Sequence, residues 1–457
     1  MQNFIKTERL TPLKSPANER LKHFGEIYAL FDAAKAGSQA ERCVQCGDPY
    51  CAANGCPLKN YIPHWLKAIA ENNPRNAFRL SNENSPFPEI LGRICPQDRL
   101  CEGSCTLGVD GYGAISIGAI ETAITESGFA NGETIVYPKH HGGKRAAVIG
   151  SGPASLSAAT FLVRGGIEVE IFEKESKPGG LLTFGIPGFK LDKAVVERRF
   201  ELLQKAGVKI HLGVDVGVSA SFDDITRQFH AVFVGVGARS STKAKIEGED
   251  TKGVFSAIDF LTATQKQLFG APKDSSFDVR GKSVVVIGGG DTAMDCVRSS
   301  LRLGAEQATC VYRRSEKTMP GSKKEFVNAK EEGAEFLFNY APSKVIAANG
   351  KLSGVEFVQT KLEDDGKRGK LALIKGSETV VKADRVIMAL GFEHQAKSWL
   401  SGITLNDKGG IVADEFGRTL NPKVFAGGDT VRGASLVVKA AADGKAAALA
   451  MIAALRT

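Results

Sequence analysis

The chain has 457 residues, which is too long for a single hydrophobic core, and its 51 glycines indicate many tight turns and close backbone approaches. Its net charge of +8 is spread along the chain without a nucleic-acid-binding module, which excludes nucleic acid as an expected partner. Residues 1–20 are polar, and the longest apolar run, residues 446–455, is too short to span a bilayer, so we expect a cytoplasmic protein of several domains without membrane contact.

The first 144 residues are distinguished by their cysteines. They hold seven of the nine in the chain, and because disulfides are rare in the cytoplasm, this clustering predicts a metal site. A single CxxC pair and a Cys-Pro in each group favour iron–sulfur ligation, whereas a structural zinc site, the alternative, usually takes CxxC pairs in sets of four ligands. The predicted ligands are Cys43, Cys46, Cys51, Cys56, Cys95, Cys101 and Cys105.

Two further segments of this region carry no cysteine. Residues 19–35 have apolar side chains at helical spacing, which predicts a helix there. Residues 106–144 are punctuated by glycine, which predicts a linker to the following domain.

Residues 145–173 have the order of a dinucleotide-binding βαβ unit. A strand (146–149) leads into a glycine turn, a helix (153–164) follows, and a second strand (168–172) ends at Glu173. Gly152 would let a pyrophosphate approach the helix N-terminus, and Glu173 would accept hydrogen bonds from a ribose, which predicts a flavin site. The predicted flavin-binding residues of this unit are Gly150, Gly152, Pro153, Ala154, Ser155, Glu173 and Lys174.

The rest of the flavin domain is predicted from stretches that lie far apart in the chain. Residues 177–193 are too rich in Gly and Pro for regular structure and are expected to pass close to the flavin ring. Residues 230–237 are predicted to form a buried strand, and near the end a strand (423–426), a turn and a helix (435–455) follow one another. The predicted flavin-binding residues here are Gly180, Leu181, Gly237, Gly428 and Asp429, the last as an acceptor for ribityl hydroxyls.

Residues 279–395 repeat the βαβ plan with a different ending. The second strand of this copy ends at Arg313 and Arg314 instead of an acid, and two guanidinium groups at that place suit the 2′-phosphate of NADPH. The predicted NADPH-binding residues are Gly288, Gly289, Gly290, Asp291, Thr292, Arg313 and Arg314.

These units predict an α/β fold in which a helical iron–sulfur N-terminal domain is followed by two nested Rossmann-like dinucleotide-binding domains. The predicted boundaries are 1–144 for the helical domain and its linker, 145–278 for the first part of the FAD-binding domain, 279–395 for the NADPH-binding domain and 396–457 for the second part of the FAD-binding domain.

Several stretches together resemble the small (β) subunits of bacterial glutamate synthase, within a wider group that includes the N-terminal part of dihydropyrimidine dehydrogenase. They are CGDPYCAANGCP, PEILGRICPQDRLCEGSCTL, GGLLTFGIPGFKL, VIGGGDTAMDCVR, YRRSEKTMPGSKKE and FAGGDTVRGASLVV. The resemblance implies a chain that passes hydride from NADPH to FAD and single electrons through two 4Fe-4S clusters to a large FMN-containing glutamate synthase subunit. That partner would make glutamate from glutamine and 2-oxoglutarate.

The resemblance also implies how the clusters are held. Cys43, Cys46, Cys51 and Cys105 would hold one cluster, and Cys56, Cys95 and Cys101 the other, with Glu121 as the eighth ligand. Asp98, Glu102 and Asp110 are the alternatives to Glu121, as is a three-iron cluster that needs no eighth ligand. No catalytic acid or base is expected, because the cofactors carry the chemistry.

Two other functions stay open at this point. One is a related NADPH oxidoreductase that serves ferredoxin or another acceptor. The other is a zinc-stabilised nucleotide-binding module without turnover.

Overall fold

The computed structural model describes residues 1–138, 143–363, 369–394 and 397–456. The end of the predicted linker (139–142) and the predicted boundary between residues 395 and 396 therefore lie outside the described residues. Within the described parts, no helix is both long and apolar enough to cross a membrane.

The N-terminal domain is helical, as predicted, and its core is centred on the buried side chains of Trp65, Phe78 and Ile120. Two of its helices, α6 (Pro88–Ile94) and α8 (Ile117–Ala130), pack closely against each other. Gly92 permits this, because a Cβ there would overlap the hydroxyl of Thr122. Its helices are α1 (Ala17–Arg20), α2 (Ala33–Glu41), α3 (Tyr50–Ala53), α4 (Ile62–Ala70), α5 (Pro74–Asn84), α6 (Pro88–Ile94), α7 (Thr106–Val109) and α8 (Ile117–Ala130).

Two predictions for this domain are wrong. Only the two ends of the helix expected over residues 19–35 are helical, in α1 and α2, and the chain between them has turns and bends, with Tyr28 paired to Lys14 in an isolated antiparallel bridge. The hydroxyl of Tyr28 donates a hydrogen bond to Asn328 of the second α/β domain (3.1 Å), a contact that a local helix would not provide. The linker expected over residues 106–144 contains α8, most of whose residues are buried, because Ile and Ala in this stretch supply the core of the domain.

The first α/β domain begins at residue 145, and the predicted strand, helix and strand of its βαβ unit are confirmed as β1, α9 and β2. Its first segment contains β1 (Arg145–Ile149), α9 (Pro153–Arg164), β2 (Glu168–Glu173), α10 (Leu181–Phe184), α11 (Lys193–Lys205), β3 (Lys209–Leu212), α12 (Phe222–Gln228), β4 (Ala231–Val234) and β5 (Ser240–Ser241).

The second α/β domain has a five-stranded parallel sheet in the order β6-β14-β7-β8-β9, with antiparallel strands β10 to β13 beside it. The predicted start of this domain at residue 279 is wrong, because Val254 of β6 pairs with Val386 of β14 and thus already belongs to this sheet. Its elements are β6 (Val254–Ser256), α13 (Ala257–Leu268), β7 (Ser283–Ile287), α14 (Asp291–Arg302), β8 (Gln307–Tyr312), α15 (Lys323–Glu331), β9 (Glu335–Phe338), β10 (Tyr340–Ala348), β11 (Lys351–Glu363), β12 (Lys370–Leu373), β13 (Thr379–Lys382), β14 (Arg385–Met388) and β15 (Phe392–Glu393).

The chain then returns to the first α/β domain with β16 (Val424–Ala426), α16 (Asp429–Arg432) and α17 (Val437–Arg456). Strand β16 completes a five-stranded parallel sheet in the order β16-β4-β1-β2-β3. Helices α9 and α17 pack against each other, and Gly444 permits this because a Cβ there would overlap the carbonyl of Ala154. The predicted fold class, with one nucleotide domain inserted into the other, is confirmed.

A buried group of charges joins the N-terminal domain to the second α/β domain. The carboxylate of Glu332 lies 3.1 Å from Nε of Arg20, 2.8 Å from Nη2 of Arg298 and 2.6 Å from Nη1 of Arg302, and all four side chains are fully enclosed. The guanidinium groups of Arg298 and Arg302 also cover the ring of Phe189, at 4.3 and 4.1 Å from its centre. Burial alone would raise the pKa of Glu332, but hydrogen bonds from Arg298 and Arg302 outweigh it and hold the pKa at about 2.

Replacing Glu332 with Gln should destabilise the chain by about 3–5 kcal/mol at neutral pH, because it leaves three buried guanidinium groups without their shared charge. Chemical denaturation followed by circular dichroism measures this difference. Because the folded pKa is depressed, the stabilisation is present above the ordinary value of about 4.5 and is lost as the pH falls towards 2, so parent and variant should converge over that range. The matched control is Glu415→Gln at an exposed position, and a difference that stays constant on acidification would contradict the assignment.

Candidate functional site

A cavity, here called the flavin cavity, lies at the carboxyl ends of the strands of the first sheet. Ligands bind at this edge in open parallel sheets, because the loops that follow the strands meet there. The predicted residues that line it are Gly150, Gly152, Pro153, Ala154, Glu173, Lys174, Gly180, Leu181, Gly237 and Asp429.

Ser155 and Gly428 were predicted for the same site but are not among its lining residues. Ser155 is buried and donates a hydrogen bond to the carbonyl of Gly235 (3.3 Å). Gly428 packs against Ala154, where a Cβ would lie 2.7 Å from the Ala154 methyl group. Both residues therefore contact lining residues of the flavin cavity without lining it themselves.

The sequence analysis missed further lining residues. Most lie in the loops that follow β1 to β4 or directly before α17, whereas Phe172 is on β2, Trp399 follows β15, and Val437 and Ala440 are on α17; only the folded sheet brings them to one edge. These residues are Ser151, Phe172, Val214, Asp215, Val216, Gly235, Val236, Ala238, Arg239, Trp399, Ser435, Leu436, Val437 and Ala440.

Glu173 holds the glycine turn in addition to lining the cavity. Its carboxylate accepts hydrogen bonds from the N–H (2.9 Å) and the hydroxyl of Ser151 and from the N–H of Glu175 (2.9 Å). A carboxylate has about four lone-pair sites, so these three bonds leave room for a ribose hydroxyl.

Asp429 provides an independent indication of a ligand. Its Oδ1 atom is buried and has no hydrogen-bond partner among the described residues, and burial raises the pKa of the carboxyl group to about 7. A buried acceptor of this kind requires a donor, which the hydroxyl groups of a ribityl chain would supply. The residues present therefore fit FAD.

The seven N-terminal cysteines are all free thiols and line two separate cavities. Cys43, Cys46, Cys51 and Cys105 line one, here called the first cysteine cavity. Cys56, Cys95, Cys101 and Glu121 line the other, here called the second cysteine cavity. This grouping matches the interleaved sets that the resemblance implies.

The fold brings these residues together from the ends of elements. Cys43 and Cys51 lie after α2 and on α3, and Cys105 precedes α7. Around the second cavity, Gly55 allows two loops to touch, because a Cβ there would lie 2.7 Å from the carbonyl oxygen of Leu100. Cysteines that are distant in sequence thus face one space.

The side chains around the second cysteine cavity that could bind a metal are three thiols and one carboxyl group. Burial raises the pKa of the Cys56, Cys95 and Cys101 thiols above the usual range. Burial, reinforced by the charge of Glu89, raises the pKa of Glu121 to about 8, although the side-chain amide of Asn60 donates to its Oε1 atom (2.7 Å). Such groups bind a cationic centre in their deprotonated forms, so this donor set fits a metal cluster.

The alternatives to Glu121 are placed elsewhere. Asp98, Glu102 and Asp110 are not lining residues of the second cysteine cavity. The carboxylate of Glu102 accepts a hydrogen bond from the N–H of Gly118 (3.2 Å) and pairs with Arg9 (2.5 Å).

Among the described residues, no group of three or more His, Cys, Asp or Glu side chains is arranged to hold one metal ion. A zinc site would place its thiolates at about 2.3 Å from one centre, whereas the two cysteine sets here line the walls of two cavities.

The three cavities lie in a row. Val437 of α17 lines the flavin cavity, and the next residue, Val438, lines the second cysteine cavity. Ile117 lines both cysteine cavities. Successive residues in the first turn of α17 thus line the flavin cavity and the second cysteine cavity, and one apolar side chain lines both cysteine cavities.

The predicted NADPH site lies in the second α/β domain, at the turn between β7 and α14. Gly288 has a φ of 151°, and a Cβ there would overlap the carbonyl of Ala389, so the turn depends on glycine. Arg313 is exposed and Arg314 is half-buried directly after β8, and within the described parts of the chain neither guanidinium group has a protein partner. Both groups are thus free to bind a phosphate.

The comparisons with known proteins agree with this arrangement. Residues 20–133 match the family described as dihydropyrimidine dehydrogenase domain II, 4Fe-4S cluster, and residues 144–444 match pyridine nucleotide-disulphide oxidoreductase. The glutamate synthase (NADPH) small chain of Escherichia coli K12 is 47% identical over 97% of both chains, and that of Halomonas elongata is 45% identical over 97% of this chain and 96% of the relative. These matches confirm the resemblance and disfavour the zinc module.

A solved structure supports the fold alone. FprA from Mycobacterium tuberculosis in complex with NADPH superposes with a TM-score of 0.59 at 20% identity, covering 68% of this chain and 85% of FprA.

Replacing Glu121 with Ala should remove one ligand of the second cluster, so that iron content falls or the EPR signal and potential of one cluster change. Glu121→Gln keeps an oxygen donor and should preserve more of the signal. Glu71→Gln, at an exposed position directly after α4, is the matched control and should leave both clusters unaltered, because its carboxylate lines neither cysteine cavity. Unchanged iron content, spectra and potentials in Glu121→Ala would show that Glu121 is not a ligand.

Proposed function

The chain belongs to the family of glutamate synthase (NADPH) small chains, and on that premise we propose that it is the electron-input subunit of a cytoplasmic glutamate synthase. It oxidises NADPH on FAD and delivers the electrons through two 4Fe-4S clusters to a large FMN-containing subunit. The observation that carries the proposal is the row of three cavities, in which the predicted flavin residues and both predicted ligand sets line adjoining spaces.

A flavin is needed between the nicotinamide and the clusters. When bound, FAD takes two electrons together as a hydride and releases them one at a time. The residues of this chain bind the cofactors, align them with one another and exclude water from their surroundings.

The first turn of α17 contributes residues to both the flavin cavity and the second cysteine cavity. Its N-terminus carries the positive end of the helix dipole towards the flavin cavity, where it favours negative charge on a bound flavin. Val437 and Val438, successive residues of this turn, present apolar side chains to the flavin cavity and to the second cysteine cavity respectively.

The loop beside the flavin is held by Lys193. This buried side chain donates hydrogen bonds to the carbonyl groups of Leu182 (2.9 Å) and Ile186 (2.5 Å), and burial lowers its pKa to about 7. The two bonds fasten the stretch that follows Gly180 and Leu181, both of which line the flavin cavity.

Glutamate formation itself belongs to the large subunit in this proposal. The sequence contains nothing that resembles the nucleophile site of a glutamine amidotransferase. The two subunits must therefore assemble for the complete reaction.

Replacing Arg313 and Arg314 together with Ala should weaken NADPH by at least ~10-fold, because charge-assisted hydrogen bonds to a phosphate contribute roughly 1.5–3 kcal/mol. NADH, which lacks the 2′-phosphate, should be affected little. Steady-state kinetics with both coenzymes measure the effect, and Arg280→Ala, an exposed arginine before β7 at the other end of the sheet, is the matched control. Equal losses for NADPH and NADH would remove the phosphate assignment.

The isolated chain, loaded with FAD and clusters, should reduce artificial acceptors with NADPH but form no glutamate from glutamine and 2-oxoglutarate. Glutamate should appear when a large glutamate synthase subunit is added, and mass spectrometry or a coupled assay detects it. Glutamate formation by the pure chain would contradict the proposed division of labour.

A further inference from the structure

The loop that carries two predicted cluster ligands also contacts the predicted NADPH-binding turn. Cys95 and Cys101 line the second cysteine cavity, and Arg99 lies between them in sequence. Its side chain leaves the loop towards the second α/β domain, where Nη1 donates a hydrogen bond to the carbonyl of Pro320 (2.6 Å) and Nη2 lies 3.5 Å from Oδ2 of Asp291. One arginine thus links the ligand loop to the nucleotide domain.

Both contacts of Arg99 belong to the turn predicted to bind NADPH. Asp291 is the first residue of α14, and its Oδ1 atom accepts a hydrogen bond from the N–H of Ser322 (2.8 Å). The neighbouring N–H of Gly321 donates to the carbonyl of Gly289 within the turn (2.9 Å). The segment of residues 320–322 is therefore hydrogen-bonded to the NADPH-binding turn. Arg99 contacts both this segment and the carboxylate of Asp291.

The negative charge of Asp291 makes its contact with Arg99 relevant to the binding of NADPH. The pyrophosphate of NADPH is expected at the N-terminus of α14, where a free carboxylate would repel it. The guanidinium group of Arg99 offsets that charge and comes from a different domain. The predicted NADPH site is thus incomplete without the N-terminal domain.

Arg99 belongs to the compact turn that leads to Cys101. The N–H of Gly103 donates to the carbonyl of Gln97 (3.0 Å), and a Cβ at Gly103 would overlap the carbonyl of Asp98. Arg99 is two residues before Cys101 in this turn, so a short stretch of backbone connects its side-chain contacts to a predicted cluster ligand.

We propose that Arg99 is a positioning residue of the NADPH site and couples that site to the second cluster. The inference rests on the proposed function and deepens it. Binding of NADP⁺ at the turn changes the surroundings of the Cys95–Cys101 loop through Arg99. Because linkage between two binding equilibria is reciprocal, reduction of the cluster changes the affinity for NADP⁺ by the same factor.

The test uses the full chain loaded with FAD and clusters, in the parent form and as Arg99→Gln, with Arg75→Gln as control. Arg75 is an exposed arginine of the same domain, and its ion-pair partner, Glu133 at 3.5 Å, belongs to that domain and not to the nucleotide domain. NADP⁺ is titrated against the flavin absorbance, and the EPR signal and midpoint potential of each cluster are measured with and without NADP⁺. In the parent and in Arg75→Gln, NADP⁺ should change the signal of one cluster.

Arg99→Gln should raise the Kd for NADP⁺ by about fivefold or more and abolish the change in the cluster signal, and Arg99→Lys should restore part of both. If Arg99→Gln loses iron, Asp291→Ala removes the carboxylate that Arg99 contacts and, with NADP⁺ at saturation, must abolish the cluster response. The proposal is overturned if NADP⁺ leaves the cluster signals of the parent unchanged, or if Arg99→Gln binds NADP⁺ within about twofold of the parent. A parent whose flavin is not reduced by NADPH would instead defeat the proposed function.

Discussion

The carboxylate of Glu332 is the point at which three parts of the chain are held together. Its partners are Arg20 from the N-terminal segment and Arg298 and Arg302 from α14, and these two also cover Phe189 of the loop beside the flavin. Charges removed from water are tolerated only when they are paired, so this group permits one relative placement of the domains. The nucleotide domain is thereby held against both the cluster domain and the flavin loop.

The alignment of the electron carriers depends on that placement. The predicted flavin and cluster residues line adjoining cavities that share the first turn of α17 and Ile117, and Gly444 lets α17 pack closely against α9. In the proposed function, two-electron chemistry at the nicotinamide and one-electron chemistry at the clusters are thereby joined within one chain.

The incorrect predictions share one physical cause. Residues 19–35 have helical spacing, yet residues 21–32 are not helical, and Tyr28 donates a hydrogen bond to Asn328 of the neighbouring domain. The glycines of residues 106–144 predict a linker, yet Gly118 and Gly128 lie on α8, where added Cβ atoms would overlap Gln97 and Phe78. In each case a local pattern was overruled by contacts with residues far away in the chain.

The sequence by itself determined the chemistry of the parts. Cysteine spacing, the acid after β2 and the arginine pair after β8 indicated clusters, a flavin and NADPH, because ligand type and turn geometry are local properties. Only the tertiary structure decided which residues meet: the start of the second domain at β6, the loops that complete the flavin cavity, and the contact of Arg99 with Asp291. Strand pairing and contacts between domains depend on residues hundreds of positions apart, and no local pattern records them.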